Sequence, residues 1–542
     1  MPNPYVVTVA GVINETVSGA GRTGTLASID FPTAHAFSVG QSIFVQLLTG
    51  PSGFAALNGS WTIVSLTSTR IRFNTDTSGT ITLSAATGTV SLNLLGLPLS
   101  TAGTTPYIEL GSFNANVSAD GGGRMSFDVL QTETPAGGPW WKSGSVADNG
   151  RVQFLDTRYG SGTALFLGYI TGIEAAMLGS GFGTRATVTV ADADGWLGKT
   201  VVRKAYTGTD IYQQVGSFKQ GGTALTDRDH INKLLAKVHD QVNDATTRQI
   251  LDTSVISGST RAIYSGTAVV LGSLDFKATT LTSALSQIAE EASGENGLPY
   301  NFFVDGAARL NYGPIAVPGT ATAPAEIVTD PTAARTGSAG TATRLLAHNL
   351  SVSLDHDNIV KGIFVQAADS RADRDGNASP ITNQPYLRTY TGTAPYNGPA
   401  LTSRTGPIPQ EVFSAPKVAA FGFGSRSTKV QRLTKGTLQV RSKPVRTVSF
   451  SISGSSQTQL TLPNWEYGLV QGYSSAGTLV NAWLPGQFVK VTAAALDLNE
   501  ILRVASVTYS FESPGSYQLR VDIEAEYTKR SAVAALLKKV GG

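Results

Sequence analysis

The sequence predicts a mainly β, multidomain protein with an α+β insertion: two similar β-barrel domains, a small α+β domain with two helices, and an N-terminal small all-β domain. Composition points this way first. The chain has 542 residues, 59 of them glycine, and only 15% are charged, against about 7% and about 25% in ordinary globular domains. Such a glycine-rich, charge-poor sequence suits short strands joined by tight turns. A hydrophobic content of 41% excludes a disordered chain. The second observation is a β-pattern that occurs twice. One copy opens at Gly150-Arg151-Val152, runs through Phe166 to Ile173, crosses a Gly/Ser turn and returns along Ala186 to Val190. The other opens at Gly486-Gln487-Phe488, runs through Leu502 to Val507, crosses Ser513-Pro514-Gly515-Ser516 and returns along Tyr517 to Ile523. Each spans about 40 residues, the length of a three-stranded meander. Two readings stand: a true repeat, which would let three subunits present six similar units, or two ordinary hairpins that share glycine turns.

The remaining elements follow in order. Residues 1–96 alternate apolar and polar positions, as in Gly40-Gln41-Ser42-Ile43-Phe44-Val45 and Trp61-Thr62-Ile63-Val64, and form the small β-domain. Leu97 to Pro106 reads as a linker, and 107–204 is the first barrel. Within 205–320 the period changes. Ile231, Leu234, Leu235, Val238 and Val242 share one helical face, with Asp227 or Asp229 placed to cap it. Leu281, Ala284, Leu285, Ile288, Ala289 and Ala292 mark a second helix behind Thr279 or Thr280, and Asn301 to Tyr312 reads as strand, turn, strand. A Pro/Ala/Thr/Gly-rich stretch over 314–345 is a linker or long loop. Residues 346–530 hold the second barrel region with an inserted polar loop from Asp369 to about Pro409, and 531–542 form a helical tail.

Chemistry-bearing patterns are few. Ala193-Asp194-Gly195-Trp196-Leu197-Gly198-Lys199-Thr200 fits a relaxed phosphate-binding loop. That mechanism needs backbone N–H groups opening onto a helix N-terminus; here Asp194 would repel phosphate and Trp196 would crowd it. A turn closing the first barrel is the better reading. Asp373-Arg374-Asp375-Gly376-Asn377 suggests a calcium loop, but Arg371 and Thr382 would occupy two principal ligand positions. His35, His230, His239, His348 and His356 form no zinc pattern, and the chain has no cysteine. Neighbours on a strand face opposite ways, so Asp355-His356-Asp357 does not converge. No catalytic, cofactor or metal residues are therefore assigned, and no enzyme is expected. Trp140-Trp141 is either an anchor for a neighbouring subunit or a loop folded over its own barrel. A net charge of +3 without a basic run argues against sequence-specific nucleic-acid binding. No apolar run is long enough to span a membrane, and the N-terminus lacks the layout of a signal peptide.

The order of these parts resembles the tail-hub (tail-associated or baseplate-hub) proteins of tailed bacteriophages. The likeness rests on Val152-Gln153-Phe154-Leu155-Asp156, Phe166-Leu167-Gly168-Tyr169-Ile170 and Val188-Thr189-Val190-Ala191-Asp192, then Leu281 to Ala292, Phe302-Phe303-Val304-Asp305, Asn358-Ile359-Val360-Lys361-Gly362 and Pro485-Gly486-Gln487-Phe488-Val489. The resemblance implies a structural virion protein at the tail tip, made in the host cytoplasm. It implies a homotrimer whose paired barrels imitate a hexameric ring. The distal tail protein and tape-measure protein would lie above it and tail fibre or spike proteins below, in a baseplate concerned with host attachment. Viral DNA would pass through the lumen without being read. Residues 1–96 depart from this core. They look like a small β-domain found in ubiquitin-activating enzymes and phage structural proteins, here for decoration or docking. The alternatives are a host-receptor-binding adhesin, a distal tail ring protein or an enzyme degrading cell-surface polysaccharide.

Overall fold

The computed structural model of the chain describes residues 5–95, 105–202, 225–237, 279–296, 300–304, 310–314, 326–329, 344–355, 445–453, 488–512 and 519–526, with shorter pieces between. Inside the first two spans, 11, 120, 134–137, 143–145, 147–149, 157–162 and 179–182 are not described. The calcium-like segment, His239, His356 and the C-terminal tail all lie outside the described residues. The fold is mainly β, in several sheets, and among the described residues the longer helices lie between residues 227 and 296.

The first strand, β1 (Tyr5–Val9), does not join the small N-terminal unit that the sequence placed it in. It pairs antiparallel with β13 (Arg151–Asp156), from Tyr5 opposite Asp156 to Val9 opposite Val152. All five of its residues are buried, so it reads as a continuous apolar run rather than an alternating one. The small unit begins after it: β2 (Asn14–Thr16), β3 (Gly19–Thr23), β4 (Leu26–Asp30), β5 (Ser42–Thr49), β6 (Gly59–Thr67), β7 (Arg70–Asn74), β8 (Ile81–Ala85) and β9 (Thr87–Leu92). They form one eight-stranded sheet in the order β2-β9-β5-β6-β7-β4-β3-β8. Its own core holds Ile43, Phe54, Trp61 and Phe73, with the Trp61 and Phe73 rings stacked at 5.4 Å. Asn93 ties the unit to β1: its Oδ1 accepts from the Val7 N–H at 3.1 Å and its Nδ2 donates to the Tyr5 carbonyl at 3.3 Å.

The main sheet has fourteen strands. Besides β1 and β13 it contains β10 (Tyr107–Ile108), β11 (Asn114–Ser118), β12 (Arg124–Gln131), β14 (Thr163–Met177) and β15 (Thr184–Asp192). A five-residue helix, α1 (Ala193–Leu197), closes this part and leads into β16 (Val201–Val202). Much later in the chain come β20 (Glu326–Val328), β21 (Arg344–Leu346), β22 (His348–Asp355), β23 (Val445–Ser453), β24 (Phe488–Ala493), β25 (Leu498–Phe511) and β26 (Leu519–Glu526). One hydrophobic core runs beneath both sets of strands, from Phe127, Phe154 and Val188 to Phe450, Val507 and Tyr509. The two repeats are thus joined edge to edge within one sheet.

Between them sits the α+β region: α2 (Asp227–Lys237), β17 (Thr279–Thr280), α3 (Leu281–Asn296), β18 (Tyr300–Val304) and β19 (Leu310–Pro314). The apolar periods place Ile231, Leu234 and Leu235 of α2, and all six apolar residues expected on α3, in a common core; the side chains of Val238 and Val242 lie outside the described residues. The cap of α2 is Thr226 rather than either aspartate. Its Oγ1 accepts from the Asp229 N–H at 3.3 Å, while Asp229 Oδ2 accepts from the Thr226 N–H at 3.0 Å, a reciprocal capping box. For α3 the cap is Thr280, whose Oγ1 accepts from the Ser283 N–H at 3.2 Å. This core includes Leu167 and Tyr169 of β14 and Leu197 of α1, so the region packs on the first repeat. No described helix is long and apolar enough to cross a membrane.

Candidate assembly site

The two copies of the β-pattern have the same topology. The first is ordered β13-β14-β15-β12-β11 and the second β24-β25-β26-β23-β22, antiparallel throughout. In each, three strands form a meander, a strand that precedes the meander pairs with its third strand, and a still earlier strand completes the set. The registers agree as well. The long middle strand carries a β-bulge between Ile170 and Gly172, opposite Val190 and Thr189, and again between Val504 and Ser506, opposite Ala525 and Glu524. A bulge displaces the ladder by one residue and bends the strand, so it is a landmark that must coincide if the copies are equivalent. With it aligned, Phe127 opposite Val188 matches Phe450 opposite Ile523.

A side-chain cluster repeats at the same register, with its parts exchanged across the strand pair. In the first copy Arg185 binds Asp128, whose Oδ1 also accepts from the Thr187 hydroxyl at 2.6 Å. In the second, Arg520 binds Asp522 at 3.0 Å, and Asp522 accepts from the Ser451 hydroxyl. Arg185 corresponds to Arg520, Thr187 to Asp522 and Asp128 to Ser451, so carboxylate and hydroxyl have traded strands. Scanning for motifs misses this, because only the arginine keeps its residue type.

The copies meet inside the chain where β11 adds to the outer edge of β25. Asn114 lies opposite Ser510, Asn116 opposite Thr508 and Ser118 opposite Ser506. The Asn116 amide donates to the Thr508 hydroxyl at 2.8 Å across the join. The join buries Ala115, Val117, Val507 and Tyr509, each at most 1% exposed. Among the described residues the other copy has no such cover. Beyond its bulge β14 continues as Gly172, Ile173, Glu174, Ala175, Ala176 and Met177, and among the described residues only β15 pairs with it there. Met177 corresponds to Phe511; the first is 70% exposed and the second 7%. The outer edge of β22 is likewise unpaired among the described residues, and Leu354 on it is 46% exposed, where the matching Val117 is 1% exposed.

The residues singled out from sequence are engaged in local structure. Asp192 caps α1, its Oδ1 accepting from the Gly195 N–H at 3.1 Å and its Oδ2 from the Gly123 N–H at 2.7 Å. Asp194 Oδ2 accepts from the Gly122 N–H at 3.1 Å. Lys199 lies over the Trp196 ring at 4.8 Å and the Thr200 hydroxyl donates to the Trp196 carbonyl at 3.0 Å. The segment resembling a phosphate loop is thus a single helical turn, α1, and the turn that follows it, fastened to the β11–β12 connection rather than the plain turn expected from sequence. Gly121 has φ +81° and a Cβ there would collide with the Asp194 carboxylate, so this tight connection requires glycine. Trp140 is buried in the main core, with half-buried Trp141 packed against that core and the two rings 5.7 Å apart; the loop folds over its own sheet. His35 accepts from the Phe37 N–H at 3.2 Å, His230 is buried in α2, and His348 is exposed on β22.

Burial, and next the charge of Asp194, push the Asp192 carboxyl up to about 7, against the pull of its N–H donors. The folded state therefore keeps a proton that the unfolded chain releases at about pH 4, and this site loses stability as pH rises between about 4 and about 7. Asp192→Asn, still a competent cap, should flatten that dependence. The test is the thermal midpoint of both proteins at about pH 5 and about pH 8; equal losses in the two would contradict the assignment.

No family model matches the sequence, and no curated protein does either. Among solved structures, the tail protein from Neisseria meningitidis MC58 is 11% identical, with a TM-score of 0.44 over 79% of this chain and 95% of that one. The 43 kDa tail protein of prophage MuSo2 from Shewanella oneidensis is 9% identical, with a TM-score of 0.45 over 78% and 94%. Prophage tail protein gp18 from Listeria monocytogenes EGD-e is 10% identical, with a TM-score of 0.38 over 80% and 94%. Likenesses this distant describe those proteins; the function of this chain has to be read from its own residues.

Proposed function

We propose that this chain is the structural tail-hub subunit of a tailed bacteriophage, a homotrimer at the tail tip that presents six similar β-units around a central DNA channel. The doubled five-strand unit, matched in topology, bulge and register, carries the reading. Two equivalent units in one polypeptide let a threefold assembly fit a sixfold ring above it, and the order of parts read from the sequence resembles that of hub proteins. In this role the distal tail and tape-measure proteins dock above, fibres or a spike dock below, and function resides in buried interfaces rather than in a catalytic group. Permanent interfaces of this kind commonly bury more than about 2,000 Å². Native mass spectrometry of the purified chain should give three copies. A chain that remains monomeric at high concentration, or forms rings of six, would contradict the proposal.

A further inference from the structure

The internal join specifies how one copy meets the next. We propose that the β14 extension of each subunit receives β22 of a second copy of this chain, in the register that β11 adopts on β25. The inference rests on the trimeric hub reading and names the surfaces that close the ring.

Register transfer is direct. On the shared strand partners, Asn114, Ala115 and Asn116 of β11 correspond to Ser351, Val352 and Ser353 of β22. From the bulges, Ser506 to Ser510 of β25 correspond to Gly172 to Ala176 of β14. The observed pairing of Asn116 with Thr508 and Val117 with Val507 then becomes Ser353 with Glu174 and Leu354 with Ile173. From Ser351 to Leu354 and from Gly172 to Ala176, every position on the new join is half-buried or exposed in the single chain, while the matching apolar positions on the internal join are buried. An unpaired edge with apolar residues is normally blunted by lysine, proline or a covering element. The run Thr171 to Leu178 contains neither lysine nor proline, nor does β22, and Leu178 is 37% exposed beside Met177. The two edges, both unpaired among the described residues, are different surfaces, so the contact is head to tail, the kind that generates a closed ring when the rotation closes.

The absence of cysteine makes cross-linking a clean test. Residues directly opposite on antiparallel strands lie about 4.5–5.5 Å apart at Cα, within disulfide reach. Glu174→Cys with Ser353→Cys is the test pair, and both side chains are exposed in the single chain. Asn116→Cys with Thr508→Cys is the intrachain control, expected to close without changing the mass. On oxidation the test variant should shift from one chain to covalent species of two and three chains on a denaturing gel, ending at three, while each single variant stays at one. Native trimers that fail to cross-link, with the control closing, would overturn the pairing and leave the hub reading standing. Preferential linking of Glu174→Cys to Ser351→Cys would overturn the register. A monomer by native mass with no cross-link would overturn both the pairing and the hub reading.

Discussion

A chain carrying Ile173→Asp and Leu354→Asp should fold and remain monomeric. On the transferred register these side chains face each other across every subunit junction, as Val117 and Val507 do within the chain. Each substitution forfeits about 1.5–3 kcal/mol of apolar burial, and two carboxylates set opposite one another add repulsion and desolvation. A loss on the order of 5 kcal/mol per junction weakens association by about three to four orders of magnitude. Neither residue is fully buried in the single chain, so the fold should survive, as circular dichroism would show. Ile173→Asp with Leu354→Lys restores opposite charges and should recover part of the assembly. A double aspartate variant that still forms trimers would refute the junction.

The largest expected effect on folding is at Phe127 and Phe450. They occupy the same register position in the two units and are 1% and 2% exposed. Truncating a buried phenylalanine to alanine costs about 3–5 kcal/mol, from lost burial plus the cavity left behind. Both belong to one continuous core, so Phe127→Ala and Phe450→Ala should each lower the same cooperative transition, by similar amounts. Chemical denaturation followed by tryptophan fluorescence would test this. Two separate transitions, each moved by only one variant, would mean that the repeats are independent domains.

The meanders were legible in the sequence because their strands alternate and their turns carry glycine. The front half of each unit was not, and the reason is physical. In the first copy β11 and β12 are joined by the tight glycine turn at Gly121-Gly122-Gly123, fastened by Asp192 and Asp194. In the second the equivalent connection, from β22 to β23, spans residues 356–444. A short turn and a long insertion leave no common spacing to recognise. The placement of β1 was hidden for another reason: a strand buried on all sides has no alternation, and nothing local names its partner, with Tyr5 opposite Asp156, 151 residues further on. The helices of the α+β region were the easiest to read, since Ile231, Leu234, Leu235 and the apolar face of α3 follow the helical period. The assembly edge itself is invisible in sequence. Ile173 and Met177 look like ordinary strand residues until their exposure is compared with that of Val507 and Phe511.

An imaging reconstruction of the assembled tail tip, computed without imposed symmetry, tests the central claim most directly. The expected result is three copies of this chain around the channel, with first and second repeats alternating at six equivalent positions and the β14 extension of each chain paired to β22 of the next. Six copies in a single ring, or first and second repeats at inequivalent radii, would contradict it.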